Sequence, residues 1–122
     1  NQKKIGEQFS NLQLLNKMNR PNINYIIDLA EGDLAFQKKV ISVIKKEFPI
    51  EINNFRENSF NKNYKLMSEN VHKLKHKISM FGMLESYNLA NKFEEELKFG
   101  LNTKQKDFER ILDKISVFLN KI

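Results

Sequence analysis

The sequence predicts an all-α protein: an antiparallel up-and-down four-helix bundle with an additional helical segment at its N-terminus. Three observations support this fold class. No segment alternates apolar and polar residues with the period of two that a half-buried strand requires. The 122 residues include only two Pro and four Gly, so few positions interrupt a helix. Four stretches repeat apolar residues at helical spacing and are separated by short turns, which is typical of an up-and-down bundle.

The first part of the chain, residues 1–21, is predicted to be a helical lead-in or a linker from an upstream domain. Its loosely helical apolar spacing ends before Pro21 and consists of Ile5, Phe9, Leu12, Leu15 and Met18. The bundle domain is predicted to span 22–122. The chain starts with Asn1 rather than Met, which indicates a piece of a longer protein.

The bundle domain is expected to open with a short helix over 22–30, whose apolar face consists of Tyr25, Ile26 and Leu29. Gly32 interrupts this helix, and Asp33 is suited to cap the next one. That helix is predicted over 33–57, with a core-facing stripe of Phe36, Val40, Val43, Ile44 and Phe48. Pro49 is expected to bend or end it, because proline lacks a backbone donor, although Ile52 and Phe55 continue the stripe.

Three further helices are predicted over 62–80, 84–99 and 103–121. Gly82 and Gly100 separate them, and Asn102 is expected to cap the last one. Each has one apolar face. In chain order these faces are Tyr64, Met67, Val71, Leu74, Ile78 and Phe81; then Met83, Tyr87, Ala90, Phe93 and Leu97; then Phe108, Ile111, Leu112, Ile115, Leu119 and Ile122.

Composition restricts the class of function. The absence of Cys excludes disulfides, thiolate metal sites and a Cys nucleophile, and it is compatible with the cytoplasm, where we expect the protein. No apolar run reaches the roughly 20 residues of a membrane span, and no secretory signal pattern opens the chain. The net charge of +6 favours an anionic partner: nucleic acid, an acidic protein surface or a phosphoryl group.

The helix predicted over 62–80 carries His72 on its polar side. At about 100° per residue, the apolar residues of this helix lie opposite His72, which is therefore expected to be exposed. Within roughly 60° of His72 lie Lys65, Ser68, Glu69, Lys75, His76 and Ser79. A neutral imidazole is a nucleophile near neutral pH, and a phosphoryl group attached to it would meet these cations. The alternative is an ordinary solvated surface.

The next helix places an acid on its apolar face, at Glu94. If the two helices form an antiparallel hairpin around Gly82, Glu94 lies level with His72, because His72 is ten residues before the turn and Glu94 twelve after it. A buried carboxylate requires a partner. Glu94 could accept a hydrogen bond from one nitrogen of His72 and leave the other as the nucleophile. It could equally form a structural ion pair with Lys75 or Lys98.

The segment from Val71 to Met83 resembles the signature of histidine phosphotransfer domains. That pattern is a small apolar residue, His, any residue, Leu, Lys, Gly, and a second Gly six residues later. The positions that match in register are His72, Leu74, Lys75 and Gly82. Upstream, residues 29–33 followed by Phe36 are similar to the family's entry motif. Downstream, Phe93-Glu94 stands where the family often has Leu-Glu or Gln, so the resemblance covers about 22–122.

The resemblance implies a phosphoryl carrier rather than an enzyme. His72 would accept a phosphoryl group from a receiver-domain aspartate and pass it to another, Lys75 would stabilise it, and Glu94 would orient the imidazole. The face that docks receivers would include Lys65, Ser68, His76, Ser79 and Gly82. Mg²⁺ is expected only on the receiver, so the domain itself would need no cofactor or metal.

The implied partners are receiver domains of response regulators or hybrid histidine kinases. The domain would be a free-standing shuttle or the cytoplasmic C-terminal part of a membrane-anchored sensor kinase. It would be monomeric in isolation and would neither insert into a membrane nor bind nucleic acid.

The chain departs from the family pattern at His76, where Gly is usual. This imidazole must either swing aside or take part, and we expect its imidazolium to help hold the phosphoryl group. Three alternatives remain. His76 and His72 have the i, i+4 spacing of a metal site with Glu69 as third ligand, but Lys73, Lys75 and Lys77 would oppose a cation. The basic chain could bind nucleic acid. The bundle could dock receivers without carrying phosphate.

Overall fold

The computed structural model describes residues 20–122, and all regular structure in this range is helical. The helices are α1 (Asn24–Ala30), α2 (Leu34–Phe60), α3 (Tyr64–Met80), α4 (Leu84–Lys98) and α5 (Gln105–Lys121). α2 contacts α3 and α5, and α4 likewise contacts α3 and α5, so the four long helices close into a ring. Short turns make successive helices antiparallel. The all-α prediction is confirmed, and α1 precedes the bundle as an extra helix. The lead-in predicted over 1–21 lies outside the described residues except for Arg20 and Pro21.

Side-chain caps fix where two of the long helices begin. The carboxylate of Asp33 accepts a hydrogen bond from the backbone N–H of Phe36 at 3.0 Å, which confirms the predicted cap of α2. The amide oxygen of Asn63 accepts one from the N–H of Leu66 at 3.2 Å and caps α3 in the same way. α3, the helix that carries His72, therefore has a defined start.

The core is the space enclosed by the four long helices, and three Phe rings occupy its centre. Phe55 of α2, Phe93 of α4 and Phe108 of α5 contact one another with ring centroids 5.2–6.1 Å apart. The arrangement is edge-on or tilted, as the charge distribution of aromatic rings favours. The predicted apolar faces of α3 and α4 are buried apart from the partly exposed Tyr64 and Tyr87. These two helices therefore have fixed rotations about their axes.

α2 differs from its prediction in length and in its buried face. It continues through Pro49 to Phe60, and Pro49 lies on the exposed side, where water can replace the hydrogen bond that proline cannot make. Phe36 and Val43 were predicted to face the core but are 41% and 45% exposed. The reason is angle: the buried residues of α2 fall within an arc of about 80° and are Ile44, Phe48, Ile52 and Phe55. Phe36 and Val43 lie about 80–100° outside that arc.

Three predictions at the helix ends are also wrong. In α1, Tyr25 and Leu29 are exposed, because this seven-residue helix buries only the ridge formed by Ile26 and Ala30. The amide of Asn102 donates to the side chain of Gln105 at 2.7 Å rather than capping a backbone N–H, and α5 begins two residues later than predicted. The last residue, Ile122, follows the end of α5 and is 40% exposed.

Candidate functional site

The α3–α4 hairpin brings the two residues predicted to interact into contact. His72 lies in the middle of α3, and its side chain is 53% exposed, as predicted. Its Nδ1 lies 2.7 Å from Oε1 of Glu94, which α4 presents from its buried face at the same level. The predicted hydrogen bond between the imidazole and Glu94 is therefore confirmed.

Glu94 has a second partner in Lys75. The Lys75 ammonium donates to Oε2 at 2.9 Å, and the two side chains are only 10% and 8% exposed. The predicted alternative of an ion pair with Lys75 is thus also present, whereas Lys98 pairs with Glu95 at 3.0 Å instead. Burial raises the pKa of Glu94, but the hydrogen bonds and charges of Lys75 and His72 outweigh it, so the pKa is lowered from its ordinary value. Glu94 is therefore ionised at neutral pH.

The ionised carboxylate determines the state of the imidazole. A carboxylate only accepts hydrogen bonds, so the nitrogen that faces it, Nδ1 of His72, carries the proton. In the neutral ring the lone pair then lies on Nε2, which points away from α4. The arrangement fixes the tautomer and orientation of an exposed nucleophile.

His76 stands next to that nucleophilic nitrogen. Its Nε2 is 3.3 Å from Nε2 of His72, and the two rings are nearly perpendicular with centroids 4.8 Å apart. Since Nε2 of His72 carries a lone pair, the hydrogen of this contact comes from His76. His76 therefore contacts the ring nitrogen of His72 that carries the lone pair.

Two residues predicted to lie on an exposed face are buried. Lys75 is buried, as described above, and Ser68 is 5% exposed, with its hydroxyl donating to the backbone carbonyl of Glu94 at 3.4 Å. Both lie on the same side of His72, about 40–60° around the helix, and α4 covers that side. Lys65 and His76 lie on the other side and are exposed. The helical wheel placed these residues correctly around α3 but did not show where α4 would pack.

Ser79 lies further along α3, and Gly82 lies just beyond the end of that helix. Ser79 is exposed two turns beyond His72, on the predicted face. Gly82 is about 15 Å along the helix axis from His72, with φ +71°, and it begins the turn to α4. A Cβ at Gly82 would lie 2.7 Å from the side-chain nitrogen of Asn22. The backbone N–H of Asn22 donates to the carbonyl of Phe81 at 3.0 Å. Gly82 thus permits a close contact with the chain that enters the bundle.

Tyr87 is a neighbour of the site, although its helical spacing predicted only a place in the core. Its ring lies under the Lys75 ammonium, with Nζ 5.8 Å from the ring centroid, within the range of a cation–π contact. Tyr87 precedes Glu94 by seven residues and therefore shares its helix face. That spacing would have been enough to find it.

Within residues 20–122, no three His, Cys, Asp or Glu side chains gather in a group that could hold a metal ion. In the same range no helix is long and apolar enough to cross a membrane. Searches against protein-family models, curated proteins and solved structures found no match.

Proposed function

We propose that the protein is a phosphoryl carrier: His72 accepts a phosphoryl group from an aspartate of a receiver domain and passes it to another receiver aspartate. The observation that supports this most directly is the exposed imidazole whose Nδ1 is held by the ionised Glu94. An ordinary surface histidine is not fixed in one tautomer by a buried carboxylate that a buried lysine also binds.

In the proposed reaction, Nε2 of His72 attacks the phosphorus of the receiver's aspartyl phosphate. The Nε2–P bond forms, the P–O bond to the aspartate breaks, and the aspartate leaves as a carboxylate. His72 loses no proton, because Nδ1–H remains hydrogen-bonded to Glu94. The resulting positive charge on the ring is stabilised by that carboxylate. The return step reverses these changes, and Mg²⁺ would be held by the receiver.

The cations near the site have different roles in this proposal. The Lys75 ammonium donates a hydrogen bond to Glu94. Its remaining N–H groups would donate to a phosphoryl oxygen only at the edge of α4 that faces His72. Lys65 and His76 are exposed on the open side, where they would meet the transferred phosphoryl group and the receiver. The N–H that His76 directs at Nε2 would turn to a phosphoryl oxygen once His72 is modified. His76 must therefore rotate aside before phosphorus can reach Nε2.

The proposed docking surface is the exposed face of α3 that includes Lys65, His72, His76 and Ser79. Ser68 is not part of it, because α4 buries that side chain. Gly82 would contribute at its far end. The partner is proposed to be a receiver domain in the cytoplasm, either as a separate response regulator or within a hybrid kinase.

The experiment is incubation of the chain with a receiver domain carrying a radiolabelled aspartyl phosphate, followed by phosphopeptide mapping. We expect label on the peptide that contains His72, labile in acid and stable in alkali, as a nitrogen-linked phosphate should be. His72→Gln should abolish it. The matched control is Lys73→Gln, which changes the exposed neighbouring residue and should leave labelling unchanged.

Two outcomes would contradict the proposal. Undiminished labelling of His72→Gln would rule out His72 as the acceptor. Receiver binding without any labelling of the wild-type chain would favour the alternative of a bundle that docks receivers but carries no phosphate.

A further inference from the structure

We infer that His72 and His76 form a two-histidine site for a divalent transition-metal ion such as Zn²⁺, and that the ion and the phosphoryl group compete for Nε2 of His72. The binding itself does not depend on the proposed phosphotransfer. The competition between the ion and the phosphoryl group rests on the proposed phosphotransfer.

The separation of the two ring nitrogens matches that of two ligands of one ion. Nε2 of His72 and Nε2 of His76 are 3.3 Å apart. Two imidazole nitrogens that bind zinc at the usual 2.0–2.1 Å with tetrahedral angles are about 3.3 Å from each other. The ring centroids are 4.8 Å apart, further than the nitrogens, so the two rings converge at their Nε2 ends. An ion bound to both nitrogens would lie about 1.2 Å off the line that joins them, so the hydrogen that His76 directs along this line would have to leave Nε2 when the ion binds.

The environment of His72 has the arrangement that supports a metal ligand. A histidine that binds a metal through one nitrogen usually donates the N–H of its other nitrogen to a carboxylate, which fixes the ring and makes the ligand more basic. Nδ1 of His72 makes this contact with Glu94 at 2.7 Å. Both imidazoles are exposed, so an ion can enter from solvent and complete its coordination with water.

Two of the three lysines that argued against a metal in the sequence are paired with carboxylates. Lys75 is bound to Glu94, and Lys77 is bound to Glu51 at 2.8 Å and to Glu47 at 3.3 Å. Their charges are therefore balanced by carboxylates within hydrogen-bonding distance. The expected third ligand, Glu69, lies on the same side of α3 as His76 but one turn before His72, so it is about 10 Å along the helix axis from His76. The site therefore has two protein ligands.

The donor type determines which ions fit. Two neutral imidazole nitrogens suit Zn²⁺, Cu²⁺ and Ni²⁺, whereas Mg²⁺ and Ca²⁺ prefer oxygen ligands. The ion would use the lone pair of Nε2 on His72, and His76 would carry its proton on Nδ1. With its lone pair in a metal bond, His72 could not attack phosphorus. Metal binding and phosphorylation would therefore exclude each other.

The first test is a calorimetric titration of the full chain with Zn²⁺ alone, after treatment with a chelator. We expect one ion per chain and, in NMR spectra, a shift of the Nε2 signals of both histidines, the only two in the sequence. His76→Gln should weaken binding by more than about tenfold, because loss of a supporting carboxylate alone costs a metal site about 10–100-fold. Lys73→Gln should bind as the wild type does. No binding, or equal binding by His76→Gln, would overturn the site.

The second test adds Zn²⁺ to the labelling reaction with the phosphorylated receiver. Labelling of the wild type should be lost as Zn²⁺ saturates the site, whereas the labelling that His76→Gln shows should not respond to Zn²⁺. An equal response of the variant would place the effect of Zn²⁺ on the receiver and overturn the competition. Absence of labelling with and without Zn²⁺ would contradict the proposed function, while the titration without receiver would still decide the metal site.

Discussion

At the scale of single residues, the geometry depends on Glu94, because it holds both His72 and Lys75. Glu94→Gln keeps the size of the side chain but removes the charge, so the Lys75 ammonium loses its counter-ion in a nearly buried position. We expect the free energy of unfolding to fall by about 1.5–3 kcal/mol, the usual contribution of a hydrogen bond to a charged group. Urea denaturation followed by circular dichroism measures it.

The double variant Glu94→Gln/Lys75→Met is the control for that interpretation. It removes both charges, so it should be less destabilised than the sum of the two single variants. Additive losses would show that Glu94 and Lys75 do not interact energetically.

Lys75 is a residue for which the structure changes the expected result. On the exposed site that the sequence predicted, Lys75→Ala would slow transfer and leave folding unaffected. Because Lys75 is buried against Glu94, we expect Lys75→Met to lower stability as well, and to slow phosphotransfer about 5- to 150-fold, equivalent to about 1–3 kcal/mol. Quench-flow measurement of labelled His72 gives the rate.

The matched control is Lys77→Met. Lys77 lies on the same helix, is 13% exposed and is also paired with glutamates, but on the side facing α2. The Lys77→Met variant should be less stable than the wild type but should transfer the phosphoryl group at the same rate. If both variants slow transfer equally, the effect belongs to the folding of α3 and not to the charge at the site.

At the scale of elements, the turn between α3 and α4 sets the register of the hairpin and thus the level of Glu94. Gly82→Ala combines two penalties: a left-handed backbone and a Cβ 2.7 Å from the Asn22 amide. We expect a loss of about 1–3 kcal/mol in the free energy of unfolding. Gly32→Ala provides the control, since Gly32 has φ +87° but no atom within 4 Å of the added Cβ. Equal losses in the two variants would mean that the contact with Asn22 has no energetic role.

At the scale of the whole molecule, the bundle should lose stability in acid partly through the α4–α5 connection. The carboxylate of Glu96 accepts from the Lys104 ammonium and from the Thr103 hydroxyl, and these hydrogen bonds lower the pKa of Glu96 from its ordinary value of 4.5. A carboxyl whose pKa is lowered on folding stabilises the protein above its ordinary pKa and loses this effect as pH falls through the folded value.

The corresponding measurement is the melting temperature of wild type and Glu96→Gln between pH 7 and 3. The wild type should be more stable near neutral pH, and the difference should shrink below about pH 4.5. Asp107→Asn, which alters an exposed pair with Arg110, is the control and should have little effect. A difference that stays constant with pH would contradict the assignment to Glu96.

The sequence predicted the four long helices and the pairing of His72 with Glu94, because both follow from periodicity and from the position of one turn. It did not predict the burial of Lys75 and Ser68 or the exposure of Phe36. A helical wheel gives the angle of a residue about its own axis, whereas burial depends on where the neighbouring helices lie and how long they are. The contact between Asn22 and Gly82 was also missed, since nothing local in the sequence joins residues sixty positions apart.

That contact also determines the direction in which the chain enters. Asn22 is held at the α3–α4 turn, and Arg20 and Pro21 lie along α5 beside Val117 and Phe118. Arg20 and Pro21 therefore lie at this end of the bundle, about 15 Å along α3 from His72. A group that is attached to a fixed point of a protein has a high local concentration at sites within its reach. This concentration falls as the connecting segment becomes longer than the distance to the site. If a group were attached ahead of Arg20, the length of chain between them would thus set how often that group meets the imidazole, without altering a single contact in the fold.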